Sequence, residues 1–180
     1  MSNSPQDHLV SSPSQRYHYL VLQASIPSLE AKLQAKLHSI NQSTLSFFEL
    51  DVNDSDEVSE FLEVYDNIGL TSPDPYESLS SQEVTAYFGG KTLVVRYLNQ
   101  LVGYCIYTVD PQSGLGVIAG IGILHKFRGL GIGTALLART LEEFQKRDLS
   151  DVQTDVLTSN QVSLHFFQRL SFSSIDDFYL

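Results

Sequence analysis

A single cysteine, Cys105, stands in 180 residues, and it lies inside an apolar stretch from Leu101 to Val109. One thiol cannot close a disulfide, and no second soft ligand lies beside it for a metal site. The five histidines are scattered without H-x-x-x-H spacing or a neighbouring cysteine, so zinc finds no support and no metal is expected. Cations are scarce too: 11 Lys and Arg stand against 21 Asp and Glu, a net charge of −10 with a pI near 4.7. Phosphate backbones are held by clustered Lys and Arg, so nucleic acid is disfavoured as a partner. The acidity serves solubility and weakly favours cationic partners. No apolar run approaches the roughly 18 residues that suggest a membrane span, and no basic region followed by an apolar stretch opens the chain. A cytoplasmic protein without membrane attachment is expected.

An apolar content of 42% with 18% charge is ordinary for a globular chain, and this length suffices for one well-buried core. Residues 1–16, rich in Ser, Pro, Gln and Asn, carry too little apolar surface to order themselves and are expected as a tail. Tyr17 to Gln23 reads as a strand. Leu29, Leu33, Leu37 and Ile40 then share one helical face, with Ser28 as the expected N-cap. This strand-helix unit, residues 17–44, precedes the expected core domain of residues 45–180; an added layer and a homodimer surface both fit it. Leu45 to Leu50 is the next expected strand. Asp54 to Glu57 forms a capping-box-like start to a helix through Val58, Phe61, Leu62 and Tyr65, which Gly69 stops. A weaker helix spans Leu79 to Phe88, and Thr92 to Tyr97 with Leu101 to Val109 reads as a hairpin. Strands with intervening helices imply a mixed α/β sheet with helices on both faces.

The densest signal is Arg128-Gly129-Leu130-Gly131-Ile132-Gly133, set between an apolar run (Val117 to Leu124) and an amphipathic pattern through Leu136, Leu137, Leu141 and Phe144. Glycines permit positive φ and close backbone approach, so consecutive N–H groups can converge at a helix N-terminus, where negative charge is favoured. That describes an anion cradle for phosphate or pyrophosphate; a tight strand-to-helix turn is the plainer alternative. The glycines recur every second position, which excludes G-x-G-x-x-G, and no Gly-Lys-Ser/Thr follows as a P-loop requires. Upstream, Gly120 and Gly122 interrupt the apolar strand, the pattern of a bulge or a close backbone approach. Downstream, Val152 to Leu157 reads as a strand, and Ser159-Asn160 opens a helix with Val162, Phe166 and Leu170 four apart.

Arg-x-x-Gly-x-Gly after Ile121-Gly122-Ile123, followed by Asp155, Asn160, Ser163, Phe166-Phe167 and Ser171-Phe172, resembles the two motifs of the GNAT superfamily of N-acetyltransferases. Together with their flanks these motifs cover about residues 92–175. The resemblance implies a mostly antiparallel central sheet with a splayed strand pair that holds acetyl-CoA. It also implies transfer of an acetyl group to an amine of a small molecule or protein. Backbone groups of Ile121, Gly122 and Ile123 would hold the pantetheine arm, and those of Gly129, Leu130, Gly131, Ile132, Gly133 and Thr134 the pyrophosphate. Arg128 would structure the turn or add charge. Asn160 would contact the cofactor arm, although Asn at a helix start is also a plain N-cap. The N–H of Ile123 would polarise the thioester carbonyl, and Asp155 would act as general base, a solvated strand residue being its alternative. Tyr65, Asp74, Tyr76, Glu77 and Tyr87 are candidates for acceptor contact. Active members of the superfamily commonly place a Tyr, as the acid for the departing thiolate, where this chain has Phe167 at the cofactor's edge. That departure keeps a non-catalytic acyl-CoA-binding sensor or interaction module open as the second reading.

Overall fold

The computed structural model describes residues 16–38, 40–88, 91–110 and 112–180, apart from the side chain of Tyr87. The expected tail therefore lies outside the described residues except for Arg16, as does the side chain of Tyr87. In chain order the elements are β1 (His18–Ser25), α1 (Ile26–Leu37), β2 (Leu45–Glu49), α2 (Ser55–Gly69), α3 (Ser81–Phe88), β3 (Thr92–Tyr97) and β4 (Gln100–Val109). They continue with β5 (Gly116–Ile123), α4 (Ile132–Gln145), β6 (Asp151–Leu157), α5 (Gln161–Gln168) and β7 (Ser173–Tyr179). The seven strands form one sheet in the order β2-β3-β4-β5-β6-β1-β7. Every neighbouring pair is antiparallel except β5 with β6. No helix among the described residues is long and apolar enough to cross a membrane.

Alternation along the strands divides the core in two. Val95, Val102 and Cys105 point to the face packed by Leu33 of α1, Phe144 of α4 and Leu164 of α5. Their neighbours Val94, Leu101 and Tyr104 point to the opposite face, under Val58, Phe61 and Ile68 of α2 and Val84 of α3. Each fully buried large side chain contributes about 1.5–3 kcal/mol of burial, and Phe61 and Phe144 are both 0% exposed. Local signals behave as their chemistry requires. Asp54 caps α2 by accepting from the N–H groups of Asp56 (2.9 Å) and Glu57 (3.2 Å), while Glu57 reaches back to the N–H of Asp51 at 3.1 Å. The β3–β4 turn places Leu98 and Asn99 at φ 49° and 68°, the paired left-handed conformation of a tight hairpin turn.

The expected unit of residues 17–44 contributes β1 to the sheet and α1 to its packing. Strand β1 lies between β6 and β7, pairing Tyr19 to Ser25 with Leu157 to Asp151 on one side and His18 to Gln23 with Tyr179 to Ser173 on the other. Leu22, Ala24, Leu29 and Leu33 join the main cluster. Helix α1 starts at Ile26, ahead of the expected Ser28 cap: Pro27 in its first turn presets helical φ, and Ser25 at the cap makes no side-chain bond. It ends at Leu37, so Ile40 lies beyond it. Gly69 is the last residue of α2; a Cβ there would sit 2.0 Å from the Tyr76 ring, so the glycine admits that ring against the helix end.

Candidate active site

Strands β5 and β6 pair only at Gly116/Val152, Val117/Gln153 and Ile118/Thr154, then part. The cause lies on the other edge of β5, where the partners of Ile106 and Tyr107 are Gly120 and Ile118. Ala119 is thus an extra residue, and such a bulge bends its strand. The hydroxyl of Thr154 donates to the Ile118 carbonyl at 3.0 Å, closing the fork. Beyond it, Leu124 N–H donates to the Val102 carbonyl at 2.9 Å. Counting back by the two-residue period, Gly122 turns its amide and carbonyl to β4, whereas Ile121 and Ile123 turn theirs into the gap. The Ile123 carbonyl accepts from Arg128 Nε at 3.0 Å, so Arg128 ties the glycine loop to the open strand.

The loop itself has Gly129 at φ 80° and Gly131 at φ 79°. Gly131 is the N-cap of α4 and makes no side-chain cap bond, which leaves the first-turn N–H groups of α4 without intrahelical acceptors. A Cβ at Gly129 would meet nothing within 4 Å. Open space, free helix-start amides and a strand edge with unpaired amides together fit an elongated thioester carrying a diphosphate. A cleft of about 870 Å³ runs from the fork to this loop.

Charged side chains of both signs line that cleft. Lys36, Arg128 and Arg169 line it, as do Asp74, Asp155 and Tyr19. Both carboxylates raise the Tyr19 pKa, after the larger effect of desolvation. Tyr65, Tyr76, Phe88 and Tyr104 form an aromatic wall of the cleft, with Tyr65 centred 5.9 Å from Tyr76 and 5.6 Å from Tyr104. Burial raises the pKa of each of these three tyrosines, keeping them neutral. Asp155 is exposed on its strand, and desolvation by its surroundings pushes its carboxyl up.

Asn160 is 6% exposed and caps α5, accepting from Ser163 N–H at 3.1 Å. Its amide also donates to Asp74 at 2.5 Å. Asp74 therefore leaves its own loop, where Ser72 donates to it at 2.6 Å, and bridges to the β6–α5 corner. Tyr76 donates to Asp66, while Glu77 is exposed and absent from the cleft lining. Leu130 is exposed at 50% and is likewise absent from that lining. Two expectations on α5 change. The buried side chains of α5 are Leu164 and Phe167, and of the expected set Leu170 is buried, Phe166 half-buried against the core and Val162 66% exposed. The Phe167 ring, 2% exposed and centred 4.9 Å from Phe172, packs into the core at the cleft's edge. Tyr19, Lys36 and Tyr104 were not foreseen as part of the site. Tyr104 was legible as the residue opposite the interrupting glycines; Lys36 carried no local signal.

Residues 61–172 match the model of the acetyltransferase (GNAT) family. The chain belongs to that family. N-alpha-acetyltransferase 30 of Schizosaccharomyces pombe is 27% identical over 77 residues, covering 41% of this chain and 51% of the relative, so the match spans about half of that protein's length. A functionally unknown conserved protein from Staphylococcus epidermidis superposes with a TM-score of 0.68 at 15% identity, over 92% of this chain and 60% of its own. A chain of the NatC complex, solved with Gag peptide and CoA, superposes with a TM-score of 0.55 at 15% identity over 69% of this chain and 81% of its own. At these identities the structural likeness is one of fold.

Proposed function

We propose that this GNAT protein is an acetyl-CoA-dependent N-acetyltransferase whose acceptor amine sits on a small molecule or a protein. The observation that carries the reading is the fork: one cleft joins unpaired strand amides, a helix start lined by glycine, and a carboxylate with a raised pKa. Bound acetyl-CoA would supply an activated acetyl thioester. The amide and carbonyl of Ile121 and the amide of Ile123 would hold the pantetheine arm as a further strand, and the Ile123 N–H would polarise the thioester carbonyl. The amides from Gly129 to Thr134 would hold the diphosphate. Asp155, with its pKa moved towards neutrality, would take the proton from the attacking amine directly or through water, since a base works best with a pKa near the working pH. A thiolate with an unperturbed pKa of about 8.5 leaves tolerably without an acid, so a phenylalanine at position 167 is compatible with turnover. Asp74 and the aromatic wall favour a cationic amine on an apolar body.

The placement of Phe167 in the core, with no hydroxyl at that point, is what favours the second reading, an acyl-CoA-binding module without catalysis. Free-thiol release from acetyl-CoA across polyamines, amino acids, aminoglycosides and peptides separates the two. Transfer to any acceptor supports the enzyme. CoA binding with no release above background across the whole panel supports the module.

A further inference from the structure

Helix α1 belongs to the unit for which an added layer and a homodimer surface both fit the sequence, yet its C-terminal end leads to the glycine loop, where Ile40 packs on Gly131. Two contacts set its direction along α4. Ile26 N–H donates to the Ser150 carbonyl at 2.8 Å, and Gln145 Nε2 donates to Glu30 at 3.0 Å. The start of α1 thus lies against the end of α4, and its last turn comes up beside the start of α4. There Ile40 covers Gly131 so closely that a Cβ would fall 2.5 Å from Ile40 Cδ1. One turn earlier, Lys36 lines the cleft beside Arg128, Gly129 and Gly131. In a chain with 11 cations against 21 acids, a lysine at this place is notable for its sign.

We infer that α1 completes the cofactor end of the cleft, with the Lys36 ammonium contacting a phosphate of the bound CoA thioester when it is present; the inference rests on the acyl-CoA reading above. Ile40 roofs the loop that presents the amides, and Lys36 adds the point charge that backbone dipoles lack. The ammonium acts here as a point charge, so a guanidinium that reaches the same phosphate can stand in for it. The plainer role of a lysine in a last helical turn is to complement the helix dipole. That role predicts a change in stability and none in ligand preference.

The test is calorimetric binding of CoA, dephospho-CoA and pantetheine to the full chain and to Lys36→Gln and Lys36→Arg variants, with melting temperatures recorded alongside. Lys36→Gln is expected to weaken CoA roughly three- to tenfold, the range of a partly exposed charge-assisted contact, and Lys36→Arg to recover most of the loss. Pantetheine, which has no phosphate, is expected to bind both equally. Loss for CoA but not dephospho-CoA assigns the contact to the 3′-phosphate, and loss for both assigns it to the diphosphate. Unchanged CoA affinity in a folded Lys36→Gln protein overturns the inference, as does an equal loss for pantetheine. Failure of the unsubstituted protein to bind CoA at all removes the acyl-CoA reading itself.

Discussion

Gly120 and Gly122 stand two residues apart on the same side of β5, yet alanine should act oppositely at the two. At Gly122 a Cβ would come to 2.8 Å from Ile68 Cγ2, 3.1 Å from Ile68 Cδ1 and 3.3 Å from Tyr104 Cζ. The γ2 methyl of Ile68 cannot swing away as a chain end could, and α2 presses it onto the sheet, so the added carbon must displace the helix. Overpacking of this kind costs about 1–3 kcal/mol. For a chain of this size that lowers the melting temperature by roughly 2–12 °C. At Gly120 the nearest atoms are 3.9 Å and 4.0 Å away, an ordinary contact. Neither position has a positive φ, so alanine there restricts the unfolded chain and is expected to be neutral or to stabilise by about 0.4–1 kcal/mol. Urea titration of both variants, with thermal melts, reads the difference directly. A Gly122→Ala protein as stable as the parent, or a Gly120→Ala protein equally weakened, would refute the packing of α2 across the fork.

Asp155→Asn is expected to lower turnover by ~10²–10⁴-fold if the carboxylate is the base, measured as steady-state thiol release once an acceptor is known; an unchanged rate removes Asp155 from the chemistry. The same variant should gain stability at neutral pH. Desolvation raises the folded carboxyl's pKa, so stability from this site is full below the unfolded value of about 3.9 and is lost as pH rises through the folded one; melts near pH 3 should therefore show no gain. Ser171 holds φ 72° at the end of α5, a conformation that glycine adopts freely, so Ser171→Gly should add about 0.5–1 kcal/mol, checked by thermal melting. Phe167→Tyr should cost about 1–3 kcal/mol by burying a hydroxyl in the core and should not raise turnover; a stable variant with a faster rate would show that the ring edge reaches the thioester.

Much of this arrangement was legible in the sequence because it rests on short-range chemistry. The Asp54 cap, the Leu98-Asn99 turn and the glycine loop are each set by residues a few positions apart. The interrupting Gly120 and Gly122 pointed to a bulge or a close backbone approach; the bulge falls at Ala119, and Ile68 of α2 packs on Gly122. What escaped depended on contacts between distant segments. Nothing near Tyr17 indicates that its strand pairs with residues 151–157, because a half-alternating apolar run fits an edge, a centre or an added layer equally well. Val162 and Phe166 have the spacing of a buried face, yet Val162 is exposed while Phe166 packs half-buried against the core. Asp74 was among the acceptor candidates, but its bond to Asn160 spans 86 positions, and no local pattern encodes such a reach.

The insertion of β1 between β6 and β7 has a consequence for the chain as it is made. Residues 18–25 leave the ribosome early, whereas their first sheet partner, 151–157, follows well over a hundred residues later. At ~5–20 residues per second that interval is on the order of ten seconds. Throughout it, Leu20, Leu22 and Ala24 lack both of the strands that flank β1 among the described residues, since β6 and β7 are still to be made. Beyond β7, Tyr17 and Leu180 exchange backbone hydrogen bonds of 2.8 and 2.9 Å. A nascent chain stalled before residue 151 should therefore present an unpaired apolar strand, the kind of segment that holding chaperones take up.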